Sequence, residues 1–579
     1  MSDNMAYIGA FLGGPDAQIP VGYCGVSLCV NTTDRRNMST ASWTITAEGF
    51  STEVDADSSG RAYVEIPSGP KYTITLNHEG IYENDDVQTI ETESKMRYGV
   101  YFDLFTYPDV STVVRVLTAS SGMTVTGVSG ANSMTVVSDS NGIAEFHGMP
   151  TGSIWTFSDG SKTETVTIDR LMIIVDFSYM PQVINEVSFG MSFNSSTFTS
   201  DPAGCLIYTG ECAGFTPVSS PPSALGACSV LGSWDMNADG SSSNPFLDSC
   251  FYATFDADGN IHERLNPKNL SKVIGLWNSD KKGWVPASGA SSIESENTMF
   301  CFPALYRKGD ASSVTIGTKS SSGTAYGATI DGHTYQYEAI GVYEGYVQGS
   351  KLMSLSGKSS SASITRPNFR TYAAANKVKN GLAMLWNFHQ WRDWWHLYLF
   401  GAKSFNGQVA VGQGGFTYNG GVGQGLCNAM GLWAGSSAAS ASTATSVKAL
   451  IENPWGYKYE FIDDFVNSSG TIYVGQNSTP DDTTSNKIST SFGTGSGWQS
   501  GLNSTGAFWG LSTGTSGSST TCQCDYRYSN SSGTYLGVVG ADSGNVSGGY
   551  AGPSSLSAAD SLSFSDSAVG ARLAFVFDL

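Results

Sequence analysis

The sequence predicts a mainly β protein, with small sandwiches in tandem at the N-terminal end followed by one larger α+β unit. Three observations predict it. Gly, Tyr and Phe number 68, 27 and 28 among 579 residues, and only 14% of residues are charged. Aromatic residues favour pleated, half-buried surfaces, Gly closes the turns between strands, and a helical protein would carry more Lys, Glu, Leu and Ala. Short alternating runs recur through the first ~190 residues, and beyond about residue 235 the aromatics become denser. A chain of this length accommodates roughly three to five domains.

The alternating runs come first. Ser42–Ala47 (SWTITA) and Tyr72–Leu76 (YTITL) are each bounded by Gly, Pro, Asn or Asp, the usual strand signal. A short repeat sits among them. Asp57-Ser58-Ser59-Gly60-Arg61-Ala62 is followed by Pro67-Ser68-Gly69 and a strand; Asp139-Ser140-Asn141-Gly142-Ile143-Ala144 is followed by Pro150-Thr151-Gly152 and another. The spacing D-x-x-G-x-A is the same in both. Gly permits the positive φ of a hairpin tip, and P-x-G turns the chain back. The pattern resembles the small Ig-like or transthyretin-like sandwiches that act as spacers in adhesins. It divides the N-terminal region into a sandwich over 1–104, read as the attachment end, and a second over 105–190.

Residues 191–234 are rich in Ser, Pro, Gly and Cys, and Ser219-Ser220-Pro221-Pro222-Ser223 reads as a connector. Residues 235–579 read as one unit. Within it, Tyr372 to Leu399 predicts a helix, with Leu382, Leu385, Trp386 and His389 at i, i+3, i+4, i+7 and Thr365-Arg366-Pro367 as the preceding turn. Its tryptophans read as core. The last ~90 residues are Ser- and Gly-rich, but Tyr535–Gly540 and Ala568–Phe577 are strand-like. Buried strands holding long polar loops are the expected picture, and such loops carry binding function.

The formal net charge of −20 excludes nucleic acid as the expected partner, because phosphate binding needs clustered Lys and Arg. After Lys487 the only cations are Arg527 and Arg572. Met1–Ala10 (MSDNMAYIGA) has no basic, apolar signal-like pattern, and no run approaches the roughly 18 apolar residues that span a bilayer, so a cytoplasmic origin without membrane insertion is expected. The ten cysteines lack zinc-ligand spacing, and the Cys522-x-Cys524 pair reads as loop thiols. Asp235–Gly240 opens like an EF-hand loop, but its twelfth position is Phe246 where a bidentate Glu is required, so it reads as a turn. Asp256–Asn260 reads as a hairpin tip. His389 and His396 lie two helical turns apart and read as structural. Asp463-Asp464 and Asp481-Asp482 are paired carboxylates without a supporting motif. No catalytic, metal or cofactor site is predicted.

Several segments, taken in order, resemble the C-terminal region of phage tail-fibre adhesins with a C-type-lectin fold. Many of those are targets of diversity-generating retroelements, and they share the fold of formylglycine-generating-enzyme-like domains. The segments are Phe255–Ile261, Asn297–Tyr306 (NTMFCFPALY), Ile340–Tyr346 (IGVYEGY), Leu355–Lys358, Thr365–Arg370, Glu452–Gly456 (ENPWG) and Val569–Phe575 (VGARLAF). Gly456 and Gly570 fit tight strand entries, Trp455 fits the core, and Arg572 fits a clamp on buried carbonyls or a carboxylate. The resemblance implies ligand contacts between the penultimate strands and the closing strand, at Asp525, Tyr526, Arg527, Tyr528, Asn530, Asp542, Asn545, Tyr550, Ser555, Asp560 and Phe564. Tyr with small polar residues is the palette of antibody loops.

The function this implies is a non-catalytic adhesin of a virion tail fibre or baseplate, made in the host cytoplasm. Its partners would be a host cell-surface receptor, either glycan or outer-membrane protein, and other virion tail proteins. A homotrimer is implied by the family. Two other readings stand beside it. One is a structural virion protein, such as a head fibre or decoration protein, marked by burial of the 525–566 loops against other chains. The other is an enzyme. A formylglycine-type oxidase needs a reactive cysteine pair, and Cys522 and Cys524 stand too close together for it. A glycan depolymerase would need acids in an arrangement the motifs do not reveal.

Overall fold

A computed structural model describes residues 22–32, 41–58, 60–77, 87–93, 97–104, 112–150, 152–168, 172–202, 204–212, 231–287, 290–414, 423–435, 446–476, 480–545 and 549–579. The Met1–Ala10 opening, the Ser219–Ser223 connector and Cys228 lie outside the described residues. The protein is mainly β, with 47% strand and 8% helix. It divides into two compact units: residues 1–181 with 275–290, and residues 182–274 with 291–579.

The first unit contains one seven-strand arrangement twice. In the first copy β1 (Tyr23–Thr32), β2 (Ser42–Ala47), β3 (Phe50–Asp55), β4 (Arg61–Pro67), β5 (Lys71–Asn77), β6 (Val87–Glu91) and β7 (Arg97–Leu104) form the sheets β4-β1-β7 and β3-β2-β5-β6. In the second, β8 (Val113–Thr118), β9 (Thr124–Ser129), β10 (Asn132–Val137), β11 (Ile143–His147), β12 (Ile154–Ser158), β13 (Thr163–Thr167) and β14 (Met172–Phe177) form β11-β8-β14 and β10-β9-β12-β13. The first and last strands of each copy pair in parallel. Period-2 alternation supplies two cores. Trp43, Ile45, Tyr72 and Ile74 meet Val26, Leu28 and Ile66 in the first, and Val125, Trp155 and Phe157 meet Val114, Val116 and Phe146 in the second.

The short sequence repeat is the same hairpin, bonded the same way. Asp57 N donates to Arg61 O and Gly60 N to Asp57 O, at 2.7 and 3.0 Å. Asp139 N donates to Ile143 O and Gly142 N to Asp139 O, at 2.9 and 3.0 Å. Each Asp also accepts a backbone N–H four residues on through its Oδ1, at 3.0 Å. Gly60 and Gly142 both have φ of 74°, which an L side chain rarely adopts. The P-x-G turns match as well: Gly69 N donates to Thr92 O and Gly152 N to Ile168 O.

The second unit begins with strands where the sequence suggested a connector. β15 (Val187–Phe193) and β16 (Leu206–Cys212) pair with each other. Buried Phe189, Met191, Leu206 and Tyr208 give them a core face. The polar loop between them, folded on Asn194, hides that alternation in the sequence. Next come β17 (Phe251–Phe255), β18 (Ile261–Asn266), β19 (Asn297–Pro303), β20 (Tyr306–Gly309), β21 (Ser313–Gly317) and β22 (Tyr337–Gly341). The Asp256–Asn260 segment is the hairpin tip between β17 and β18, closed on the Asp256 carboxylate. Asn237–Gly240 is a turn, with Gly240 at φ 82°.

The helix predicted over 372–399 is interrupted by a strand. The segment folds as α1 (Arg366–Ala374), β23 (Gly381–Leu385) and α2 (Phe388–Ala402). Leu382 and Leu385 therefore lie on a strand, not on a helical stripe with Trp386 and His389. Arg366-Pro367, expected as a turn, opens α1, where the missing N–H of Pro is harmless. Asn380 at φ 54° separates α1 from β23, and Asn387 with Gln390 forms a capping box that starts α2. Pairing of β23 with the last strand, β24 (Leu573–Phe577), overrides the local period. Six neighbouring strands of this sheet run β18-β17-β19-β22-β24-β23.

α2 is buried from residue 388 to residue 400. Its tryptophans are core, and two of them bond buried acceptors through their indole N–H groups. Trp394 donates to Ala449 O and Trp395 to Ser554 Oγ, both at 2.9 Å. His389 Nε2 lies 2.7 Å from Gly475 O and His396 Nδ1 2.6 Å from Arg392 O, so both histidines are structural. Burial holds both imidazoles well below their ordinary range, hence neutral.

Three of the segments singled out in the sequence converge on Arg572. Its Nε donates to Glu460 Oε2 at 2.8 Å, and Nη2 to Glu460 Oε1. Nη1 reaches Gly341 O at 2.9 Å and Val342 O at 3.0 Å, and Nη2 also reaches Glu452 O at 2.9 Å. Glu452 N in turn donates to Val342 O. A Cβ on Gly570 would stand 2.0 Å from Glu344 Oε1, so a larger residue there would have to push the buried Glu344 carboxyl aside. Gly456 has φ of 76°, and Trp455 is fully buried.

Candidate functional site

The C-terminal sheet supplies the frame. It comprises β25 (Tyr459–Ser468), β26 (Thr471–Gly475), β27 (Lys487–Ser491), β28 (Gly497–Trp498), β29 (Tyr526–Ser529), β30 (Thr534–Val539) and β31 (Leu556–Ser561), in the order β27-β26-β25-β30-β31-β29-β28. β29 alternates sharply: Tyr526 and Tyr528 are half-buried on one face, while Arg527 and Ser529 are buried on the other. Trp498 is the cross-strand neighbour of Tyr526.

That alternation builds an aromatic patch. Trp498 and Tyr550 stack at 5.1 Å with 16° between ring planes. Tyr526 meets Trp498 at 5.5 Å and Tyr550 at 4.8 Å, both edge-on, and lies 4.8 Å from Tyr528. All four rings are half-buried, so each keeps part of its surface in contact with solvent. Such offset and edge-to-face pairs are the favoured aromatic geometry. Asp542 and Asn545 adjoin the patch through Tyr459. Asn545 Nδ2 donates to Asp542 Oδ1 and approaches Tyr459 Oη at 3.5 Å. The Tyr459 and Tyr528 phenols are both pushed up, first by burial and then by neighbouring phenols and the Asp542 carboxylate. Tyr550 N donates to Asn545 O at 3.2 Å, which fastens the loop to the patch.

Five of the eleven residues read as contacts therefore gather in one place: Tyr526, Tyr528, Asp542, Asn545 and Tyr550. Three others face inward and are corrected. Asp525 is buried, and its Oδ2 accepts Ser554 N at 2.7 Å. Arg527 is buried over the Phe492 ring at 4.1 Å with Nη1 on Ser512 O; burial lowers its guanidinium to about 10. Ser555 is buried, its carbonyl accepting Gly540 N. Each holds a loop in place, and the strand period that exposes Tyr526 and Tyr528 is what turns Arg527 inward. Asn530 is exposed and donates to Ala559 O, while Asp560 accepts from Ser557 Oγ at 2.8 Å. Among the described residues, no ring contact joins Phe564 to the patch.

Trp498 and Tyr459 were missed by the sequence reading. A single Trp in the run Gly495-Ser496-Gly497-Trp498-Gln499-Ser500 was the available signal, since an isolated large ring among small polar residues has no local core to fill.

The paired carboxylates have a context after all. Arg366 Nη2 bonds Asp482 Oδ1 at 2.7 Å, and Arg370 Nε bonds Asp463 Oδ2 at 2.7 Å. Lys487 bonds Asp464 and lies 3.1 Å from Asp481 Oδ1. Burial raises the Asp464 carboxyl to about 6 despite Lys487. Every carboxylate of the two pairs thus has a cation, and together they tie α1 to the sheet. Cys522 and Cys524, at φ of 59° and 61°, flank Gln523, whose amide donates to Gly501 O and Gly510 O. Among the described residues, no group of three or more His, Cys, Asp or Glu is placed to hold a metal, and no helix is long and apolar enough to cross a membrane.

No family model and no curated protein matches the chain. Among solved structures it is similar to the Bacillus anthracis TIE protein at 14% identity, over 30% of this chain and 40% of that one, with a TM-score of 0.13. It is similar to the shaft pilin SpaA of Lactobacillus rhamnosus GG at 8% identity, over 27% of this chain and 97% of the pilin, with a TM-score of 0.12. The minor pilin GBS52 of Streptococcus agalactiae gives 8% identity, 28% and 98% coverage, and a TM-score of 0.12. The chain thus spans under half the length of the TIE protein and almost all of each pilin.

Proposed function

We propose that this chain is a phage tail adhesin that binds a receptor on the surface of a host bacterium through its C-terminal, lectin-like unit. The observation that carries the reading is the half-exposed patch of Trp498, Tyr526, Tyr528 and Tyr550 with Asp542 and Asn545 beside it. Rigid amphipathic rings rimmed by short polar side chains are what a recognition surface needs, because they lose little entropy on contact. The duplicated sandwiches act as spacer and attachment, and other tail proteins are the partners at that end. The buried Arg572 knot, built in part from three of the segments that resemble tail-fibre lectin-like domains, supports the family reading by giving those three motifs a structural task. The unit works without catalysis or cofactor. Assembly as a homotrimer would raise the strength of a weak single contact through effective concentration.

Binding of the fluorescently labelled full chain to intact cells across a panel of bacterial species tests this. Saturable binding to at least one species is expected. A variant with Tyr526, Tyr528, Asp542, Asn545 and Tyr550 replaced by Ala should bind at least about 30-fold more weakly, as for an aromatic hot spot worth ~2 kcal/mol. Equal binding by that variant would place the contact elsewhere. Absence of saturable binding across the panel would remove the adhesin reading in favour of a structural virion component.

A further inference from the structure

Among the described residues, no cation–π contact joins a Lys or Arg to the four rings of the patch. Beyond Lys487 the chain has two cations, Arg527 and Arg572, and both are buried with their donors turned into the fold. The groups around the rings are neutral or acidic. Gly549 brings the backbone close to Trp498, with Ser519 and Gln408 on the same side. Asp542 and Asn545 stand on the other, beyond Tyr459. The charges that push the Tyr528 phenol up are the other two phenols and Asp542. A phosphate, sulfate or uronate brought to this surface would meet the Asp542 carboxylate, with the Arg527 and Arg572 guanidiniums turned away, whereas anion recognition calls for such cations. The nearby carboxylates already serve the fold: Asp542 accepts from Asn545 and Asp560 from Ser557. What remains is a ligand with apolar C–H faces for the rings and many hydroxyls for amides, hydroxyls and phenols.

We infer that the patch takes an uncharged glycan, with pyranose C–H faces on the Trp498–Tyr550 platform and sugar hydroxyls on the Asn545–Asp542 and Gln408–Ser519 sides. This deepens the adhesin reading and rests on it. It separates the site from anionic polymers such as phosphate- or uronate-bearing chains, and from a protein epitope.

Two arms test it with the full chain. In the first, cells that bind the protein are treated with periodate, which cleaves vicinal diols, or with protease. Periodate should lower binding at least tenfold and protease should leave it unchanged. Binding should also be flat between roughly 0.02 and 0.5 M NaCl, a range over which the Debye length falls severalfold and contacts between charges weaken. In the second arm, migration is followed in native gels containing dextran, mannan or galactomannan, or alginate or polygalacturonate. Retardation by a neutral polymer is expected and by the acidic ones is not. Tyr550→Ala and Trp498→Ala should abolish it, while Trp498→Phe retains part and shows that the sheet still folds. Loss on protease with periodate-treated cells still bound would overturn the inference while leaving the adhesin reading standing. So would binding that falls steeply with salt, retardation by the acidic polymers alone or by none, or retention of glycan binding by Trp498→Ala. Failure to bind any cell would sink the adhesin reading itself, and the gel arm then decides the ligand class alone.

Discussion

Arg572 shows how one side chain can close a fold. Its guanidinium is fully buried, and six hydrogen-bond acceptors from three distant segments surround it. Removing one partner of such a pair leaves the other charged and desolvated. Arg572→Met should therefore cost about 3–5 kcal/mol, read from urea unfolding, and Arg572→Lys should recover little because an ammonium cannot match the fork. Adding Glu460→Gln to Arg572→Met should restore part of the loss, since the stranded carboxylate is then gone. Glu344, against Gly570, adds a pH dependence. Burial first, and the Glu460 charge second, push its carboxyl up to about 8 from 4.5. The folded state thus binds a proton more tightly than the unfolded chain. The stability this contributes is complete below about pH 4.5, declines between 4.5 and 8, and is lost above. Melting temperature should fall from pH 6 to pH 8.5 in the wild type, with a shallower slope in Glu344→Gln. The scaffold role of Arg572 was legible in the sequence because its fork has few uses in an apolar strand. The inward turn of Arg527 was not, because in a Ser- and Gly-rich stretch polarity says nothing of which face is covered.

The two sandwich hairpins share one bonding scheme, so the glycine at each tip has a defined price in free energy. Gly142 combines φ of 74° with Thr118 O only 2.9 Å from where a Cβ would stand. Gly122 has nearly the same φ, 75°, with nothing within 4 Å. Gly142→Ala should destabilise the second sandwich by at least ~1–2 kcal/mol, and more than Gly122→Ala, because strain and a backbone clash add; thermal unfolding of the pair measures the difference. Asn387→Ala should lose about 1 kcal/mol by removing the α2 cap while leaving the helix in place through its buried face. The repeat was readable because turn chemistry is local. The α1–β23–α2 succession was not, because Leu382 and Leu385 satisfy a helical period by coincidence, and the pairing that makes them a strand comes from residues 573–577, almost two hundred positions away. β15 and β16 escaped for a similar reason: the strand that anchors the pair, β21, joins β15 from more than a hundred residues on.

The recognition patch shows the same division between local and distant information. Its tyrosines were foreseeable from loop composition, whereas Trp498 joins them only through the pairing of β28 with β29 across a 27-residue excursion whose turns are set by Gln523 and Gln499. Stability should be divided in the same way as the cores are. The first unit holds two separate apolar cores, one per sandwich, and the second unit centres on the buried α2. Each core is large enough to give its own cooperative transition. Phe157 is fully buried, edge-on to Phe146 at 5.0 Å. Phe157→Ala should lose about 3–5 kcal/mol, which scanning calorimetry would register as a downward shift of one transition only. Trp394→Ala, within α2, should shift a different one. Glycan or cell binding should survive Phe157→Ala at temperatures where the second unit remains folded, because the patch is built wholly from that unit's residues. Loss of binding in step with the Phe157→Ala transition would mean that recognition draws on the sandwiches as well.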